Sequence, residues 1–312
     1  MTAVAARPRI GFAGLGWIGR HRMNALTESG VAEAAMLCDA AMPETCSFDE
    51  LLASDVDAIV IATPNAFHAE QSIAALERGK AVFCQKPLGR NAEETARVVE
   101  AARANDRLLG VDLSYRYTDA MRAVRSAAAE LSEIFAAELT FHNAYGPDKP
   151  WFYDRQLSGG GCVLDLGIHL VDLALWTLAF PRVESVTSRL YSNCGSVEDY
   201  ATARIDLANG TMVNLACSWN LSAGEECRID VKFYGTRGAA GFHNVNGSFY
   251  DFAAERYEKT RTIPLTAPPD AWGGRAIRAW GEKVAADPRF DPEIEQIVQV
   301  AQTLDAIYGA AS

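Results

Sequence analysis

Arg9-Ile-Gly-Phe-Ala-Gly14-Leu-Gly16-Trp-Ile-Gly19 decides the fold. Arg9–Ala13 reads as a short strand that ends in glycines, and Ile18–Ser29 reads as a helix. Between them stands a G-x-G-x-x-G turn, which is weak evidence alone and informative at a strand-to-helix junction. Gly14 permits the tight turn, Gly16 lets the backbone approach an anion, and Gly19 lets helix and strand pack closely. The helix start, with Trp17 and Ile18 beside Gly16, offers unpaired N–H groups and a partial positive charge to a pyrophosphate.

The pattern repeats downstream. Ala34–Cys38, Ala58–Ala62, Ala81–Cys84 and Leu108–Val111 read as strands, with helices expected at His68–Arg78 and Asn91–Asn105. Asn91 with Glu94 three residues on is a near capping box. Strands alternating with helices imply right-handed βαβ units and a doubly wound parallel sheet. Only seven residues separate Asp39 from Ser47, the expected N-cap of the next helix, so the crossover there is short. Asp39 ends the second strand twenty residues after Gly19. A carboxylate there accepts ribose hydroxyls and repels a 2′-phosphate, and Ala40-Ala41-Met42 brings no arginine, which favours NAD over NADP.

After about Ser114 the pattern changes. Ile134–His142, Val186–Tyr191, Tyr200–Leu207, Thr211–Trp219 and Ile229–Tyr234 read as longer, partly alternating strands, with a hairpin at Asn209-Gly210. The expectation is an α/β Rossmann domain over residues 1–115. A second, α+β domain is expected over 116–312, with its final helix, Ile294–Ile307, able to pack back on the first.

Composition narrows the partners. The 312 residues are 49% hydrophobic and 22% charged, as in an ordinary globular chain. Forty acidic against 29 basic residues leave a net charge of −11, which argues against a nucleic-acid or anionic membrane partner. No apolar run reads as a signal peptide or membrane span, since Val163 to Phe180 is broken by Asp165, His169 and Asp172. Seven scattered cysteines without CxxC spacing read as reduced thiols of a cytoplasmic protein, not as a disulfide frame or zinc site.

Three motifs carry chemistry. Thr63-Pro-Asn65-Ala-Phe-His68 follows a buried strand, where ligands of such sheets bind; the alternative is an Asn/Pro turn with a capping histidine. Cys84-Gln-Lys86-Pro87 ends another strand; Lys86 is either a surface lysine or, beside a nicotinamide's positive charge, an amine suited to proton transfer or to polarising an oxygen. Gly159-Gly-Gly-Cys-Val-Leu-Asp165-Leu-Gly-Ile-His169-Leu-Val-Asp172 places Asp165, His169 and Asp172 on one helix face. A histidine oriented by a carboxylate is a good base near neutral pH; a hydrogen-bonded structural pair and a metal site are the other readings.

Taken together, GFAGLGWIG, TPNAFH, CQKPL and GGGCVLDLGIH resemble the Gfo/Idh/MocA family, the glucose–fructose oxidoreductase and inositol dehydrogenase group. The resemblance covers essentially the whole chain. It implies a Rossmann domain followed by an α/β domain whose open, mostly antiparallel sheet often forms the oligomer interface, and hence a homodimer or homotetramer. By resemblance, Lys86, Asp165 and His169 match the catalytic residues. Gly14, Gly16, Gly19, Asp39, Thr63, Asn65, His68 and Lys86 fall on cofactor-facing positions, and Tyr115, Arg116 and Trp151 where substrate is lined. The family's usual glutamate before the lysine is Gln85 here, a neutral side chain.

The expected activity is hydride transfer between NAD and a secondary alcohol or ketone of a sugar, cyclitol or related polyol. His169 would act as base, Lys86 would hold the reacting oxygen, and Asp165 would orient the site. That requires amine and imidazole to serve one substrate. A non-catalytic NAD-binding regulator and an NAD-assisted glycosidase are the competing readings.

Overall fold

Four of the five residues of β1 (Arg9–Ala13) are buried, as a strand covered on both faces must be. In the computed structural model, which describes residues 7–193 and 195–311, β1 pairs in parallel with β2 (Glu33–Cys38) and β3 (Ala58–Ile61). The readings of the extreme N-terminus and of Cys194 lie outside the described residues. β4 (Ala81–Cys84) and β5 (Leu109–Val111) complete a parallel sheet of order β2-β1-β3-β4-β5. The order reverses at β1, so the carboxyl ends of β1 and β3 flank the switch point where ligands of such sheets bind.

Between these strands run α1 (Trp17–Glu28), α2 (Phe48–Ala53) and α3 (Asn65–Glu77), with α4 (Ala92–Ala104) ahead of β5. The short crossover after Asp39 is covered by α2. Ser47 and Glu50 form a reciprocal capping box, and fully buried Leu51 lies where a Cβ on Gly11 would come within 2.4 Å of its Cδ1. One leucine thus covers β1, a burial of roughly 1.5–3 kcal/mol. α3 begins three residues before its expected start, because Pro64 with φ −60° serves as its N-cap. At α4, Asn91 accepts from Glu94 N at 2.9 Å, while the Glu94 carboxylate turns to Arg90.

The second unit holds α5 (Asp119–Ala128), β6 (Ile134–Asn143), α6 (Arg155–Ser158), a π-helical turn (Val163–Gly167) and α7 (Ile168–Thr177). Strands β7 (Val183–Tyr191), β8 (Tyr200–Leu207), β9 (Met212–Ser218), β10 (Cys227–Gly235), β11 (Gly238–Asn244), β12 (Phe252–Glu258) and β13 (Arg261–Thr266) follow. The sheet runs β13-β12-β11-β10-β6-β9-β8-β7, and all pairs are antiparallel except β6 with β9. Alternation is clean: Ala137, Leu139 and Phe141 of β6 are buried while Glu138 between them is exposed. α5 packs on β11 to β13, and α7 on β6 and β9. The β8–β9 hairpin is a three-residue loop, with Gly210 alone at positive φ (+84°) and Leu207 N donating to Thr211 O at 3.0 Å.

β11 to β13 and α5 were not legible as elements. Gly238-Ala-Ala-Gly241 has no alternation to read, and Pro264 is tolerated in β13 because that strand is an edge. Contacts group the chain into one unit ending at Ser114 that also takes Gly273–Glu295, and another of Tyr115–Trp272 with Gln296–Ser312. The expected return of the last helix to the first unit is corrected. The preceding helix, α8 (Arg275–Ala286), packs on α1 and β4, whereas α9 (Gln296–Gly309) packs on α7 and β7. Arg155–Thr177 is the helical run, among the described residues, long and apolar enough to cross a membrane, and 83% of its apolar window is buried inside the protein.

Candidate active site

In the first unit the candidate residues are built on the glycine turn. Gly14 has φ +88°, and a Cβ there would lie 2.4 Å from Ala62 O, so only glycine joins the ends of β1 and β3. A Cβ on Gly19 would lie 2.0 Å from Gly14 O, which sets the close approach of α1 to the turn. Around Gly16, by contrast, a Cβ would meet nothing within 4 Å. α1 has no side-chain cap and no acid in its first turn, so the positive end of its dipole is directed at that open space. These residues fit a dinucleotide pyrophosphate. Trp17 is 62% exposed and tilted against His21 at 5.7 Å, and Ile18 is half-buried.

Asp39 is half-buried and braces the same turn. Its Oδ2 accepts from Leu15 N at 2.6 Å and its Oδ1 from Ala41 N at 2.9 Å. A carboxylate has about four acceptor sites, so these bonds are compatible with ribose hydroxyls. The segment after Asp39 does have an arginine near it, which local sequence did not show. Arg20, one turn into α1, donates from Nε to Leu15 O at 2.8 Å, and its Nη2 lies 3.6 Å from Met42 Sδ.

At the end of β3, Thr63 Oγ1 donates to Gln71 Oε1 at 2.6 Å, and Asn65 is buried at the start of α3. His68 follows three residues on. It is 1% exposed, and its Nδ1 and Nε2 each lie 2.7 Å from a carbonyl, those of Pro87 and Thr63. Each ring nitrogen contacts a backbone carbonyl, and the neutral ring donates through one N–H, so His68 ties the β3 and β4 loops together. Burial lowers its pKa from the ordinary 6.5, against the opposing pull of the two carbonyls. From Lys80 to Gly89 every residue is buried except Lys86. Its neighbour Gln85 donates to Asp112 Oδ2, and its other neighbour, Pro87, accepts from His68 across a cis Lys86–Pro87 peptide.

The second unit repeats that exposure pattern. From Gly160 to Trp176 every residue is buried except Asp165. Asp165 lies in the π-helical turn, a feature frequent at functional sites. Its Oδ2 accepts from Trp219 Nε1 at 3.0 Å. His169, 7% exposed, meets the Tyr115 ring edge-on at 4.8 Å and lies 6.2 Å from Phe141. Asp172 is drawn out of the expected stripe, because Arg116 grips it from Nε (2.9 Å) and Nη2 (2.5 Å). Burial pushes the Asp172 carboxyl up, and the guanidinium opposes it.

Two expected substrate-lining residues, Tyr115 and Arg116, have firm partners within the second unit. The Arg116 guanidinium forms this ion pair and lies over Trp176 and Phe180, at 5.6 and 5.5 Å. Tyr115 is 4% exposed and is the hub of a cluster with Phe141, Phe252 and Trp272, so it packs against His169. Trp151 is half-buried and stacked on Phe152 at 3.9 Å. Phe152 and Tyr153 both set their rings edge-on to Trp219, the Asp165 donor. Trp219 and Glu198 were missed in the sequence; each sits far from the motif it serves. Glu198 Oε1 accepts from Gly161 N (2.9 Å), Val163 N (3.0 Å) and Tyr308 Oη (2.8 Å), capping the run that carries Asp165 and His169.

Known proteins match both halves. The profile of an oxidoreductase family with an NAD-binding Rossmann fold matches residues 8–113, and that of the GFO/IDH/MocA C-terminal domain matches residues 121–241. The chain is 30% identical to D-glucoside 3-dehydrogenase of Escherichia coli (strain K12), over 84% of this chain and 79% of that protein. It is 31% identical to a putative UDP-kanosamine synthase oxidoreductase subunit of Amycolatopsis mediterranei (strain S699), over 97% of this chain and 96% of that one. In fold it resembles levoglucosan dehydrogenase solved with NADH and levoglucosan, with a TM-score of 0.83 at 21% identity over 98% and 97% of the two chains.

Proposed function

This chain belongs to the Gfo/Idh/MocA oxidoreductase family, and on that premise we propose that Lys86, Asp165 and His169 catalyse hydride transfer between NAD and a secondary alcohol or ketone of a sugar, cyclitol or related polyol. NAD, held at Gly14, Gly16, Gly19 and Asp39, supplies the hydride acceptor or donor when bound. Lys86 donates a hydrogen bond to the reacting oxygen as negative charge builds there. His169 takes the hydroxyl proton on its imidazole, or returns it in reduction. Asp165, fixed by the Trp219 indole, accepts a substrate hydroxyl and sets the orientation of the ring. Trp151 offers an aromatic face to ring C–H groups.

One observation carries this reading. In each of two fully buried runs a single charged side chain is left partly open, Lys86 in one and Asp165 in the other. Keeping a charge half-open in otherwise buried surroundings is costly unless it serves chemistry. The named activities of the relatives, on glucosides among them, support a sugar hydroxyl as substrate. Lys86→Ala is expected to lower kcat by about 10²–10⁴-fold while NAD binding is nearly unchanged. The assay follows nicotinamide absorbance with NAD and NADP against sugars, sugar acids and inositols, and unaltered turnover in the variant ends the assignment. The same proposal has the enzyme act in the cytoplasm, a reducing compartment suited to its free described thiols. It also has the enzyme assemble as a homodimer or homotetramer, which sedimentation velocity checks.

A further inference from the structure

We propose that Asp112, through Gln85 and Arg22, is a positioning residue for Lys86. The inference rests on the function proposed above and adds a carboxylate that no motif contains. Asp112 is 2% exposed, Arg22 1% and Gln85 8%. Asp112 Oδ2 accepts from Arg22 Nε at 2.5 Å and from Gln85 Nε2, and its Oδ1 accepts from Ser114 Oγ. Arg22 Nη2 donates to Ser114 Oγ at 3.0 Å. A carboxylate only accepts, so the amide must turn its N–H₂ toward it.

Backbone ties run in parallel. Asp112 N donates to Cys84 O at 2.9 Å, and Gln85 N to Ile61 O at 2.8 Å. Gly273 closes over the cation: a Cβ there would lie 2.5 Å from Arg22 Nη1. Residue 85 is thus held by side chain and main chain at once, and residue 87 by His68. Lys86 leaves the chain between two anchored neighbours.

Charge explains why residue 85 is an amide. The buried set holds one cation and one anion. A glutamate at 85 would place a second carboxylate against Asp112, and two carboxylates sharing one site cannot both ionise easily. In this chain the acid that serves the lysine's segment is Asp112, with Gln85 as its neutral relay. The polar set is high-stakes: satisfied it is rigid, and broken it leaves a buried charge without a partner.

The test is a charge-swap cycle of Gln85→Glu, Asp112→Asn and the double variant. Readouts are kcat, KM, the pH profile of kcat, thermal unfolding, and the ¹³C NMR signal of reductively methylated Lys86, assigned by its loss in Lys86→Arg. Each single variant is expected to lower kcat by about 10–100-fold with much smaller changes in KM, as displaced catalytic groups do. Each is also expected to shift the Lys86 signal, and the double variant should recover both. Three results overturn the proposal: a single variant with wild-type kcat and Lys86 signal, singles that lose stability alone, or a double no better than the worse single. If the wild type turned over no polyol while the Lys86 signal still followed the cycle, the function would fail and the positioning would stand.

Discussion

Replacing Glu198 with alanine removes the acceptor of three buried donors at once. Glu198 is 3% exposed, and its Oε1 serves the N–H groups of Gly161 and Val163 and the hydroxyl of Tyr308. The first two are helix-start donors that lack intrahelical partners, and the third comes from α9. Burial and the Glu198 charge push the Tyr308 phenol well above its ordinary pKa, so it stays a donor. A hydrogen bond to a charged group contributes roughly 1.5–3 kcal/mol, and an orphaned buried group costs about 1–3 kcal/mol. Water admitted into the vacated volume offsets part of this, so the net loss is about 3–5 kcal/mol. For a unit of this size that lowers Tm by about 6–20 °C. Glu198→Gln keeps an acceptor oxygen and should lose about half as much. Because the capped run carries Asp165 and His169, kcat should fall in the alanine variant at temperatures where it remains folded, while NAD affinity stays near wild type. Calorimetry with steady-state kinetics and NAD titration reads all three. A variant that melts like wild type would refute the capping role, and one that weakened NAD binding as much as kcat would refute its confinement to the second unit.

Two further outcomes are expected. Asp39→Ser should raise the KM for NAD by about 10–100-fold, since it removes hydrogen bonds to a charged acceptor, and should improve use of NADP. Arg20→Ala in that background should abolish the NADP gain, and steady-state kinetics with both cofactors checks it. Stability should also decline as pH falls from 7.5 to 5.5. Burial holds the pKa of His68 below 6.5, so the unfolded chain binds the proton first. The contribution is full above about 6.5 and is lost as pH falls through the folded-state value. Burial shifts His21 and His142 the same way, so His68→Gln should flatten the slope in part. Thermal melts across that range measure it, and an equal slope in wild type and variant would exclude the His68 contribution.

Local order along the chain was enough to determine the glycine turn, the parallel strands, the capping at Asn91 and the placement of Lys86, Asp165 and His169 in runs of apolar residues. Each depends on neighbours within a few positions: turn geometry, two-sided burial, helix-start hydrogen bonding. Elements poor in local pattern were invisible, as in β11, where glycine and alanine are chosen by the strand beside them. Partners also had to wait for the tertiary structure. Neither the Asp172–Arg116 pair nor the Trp219–Asp165 bond has a spacing rule, because their members lie 56 and 54 residues apart. The same holds for Glu198 capping a helix 35 residues upstream of it, and for Asp112 receiving Gln85 from 27 residues away. The residue types with chemistry to offer are legible in the chain. Which of them the fold binds to its own frame, as with His68, Tyr115 and Arg116, is settled by burial and hydrogen-bond satisfaction, since those depend on atoms brought close only by folding.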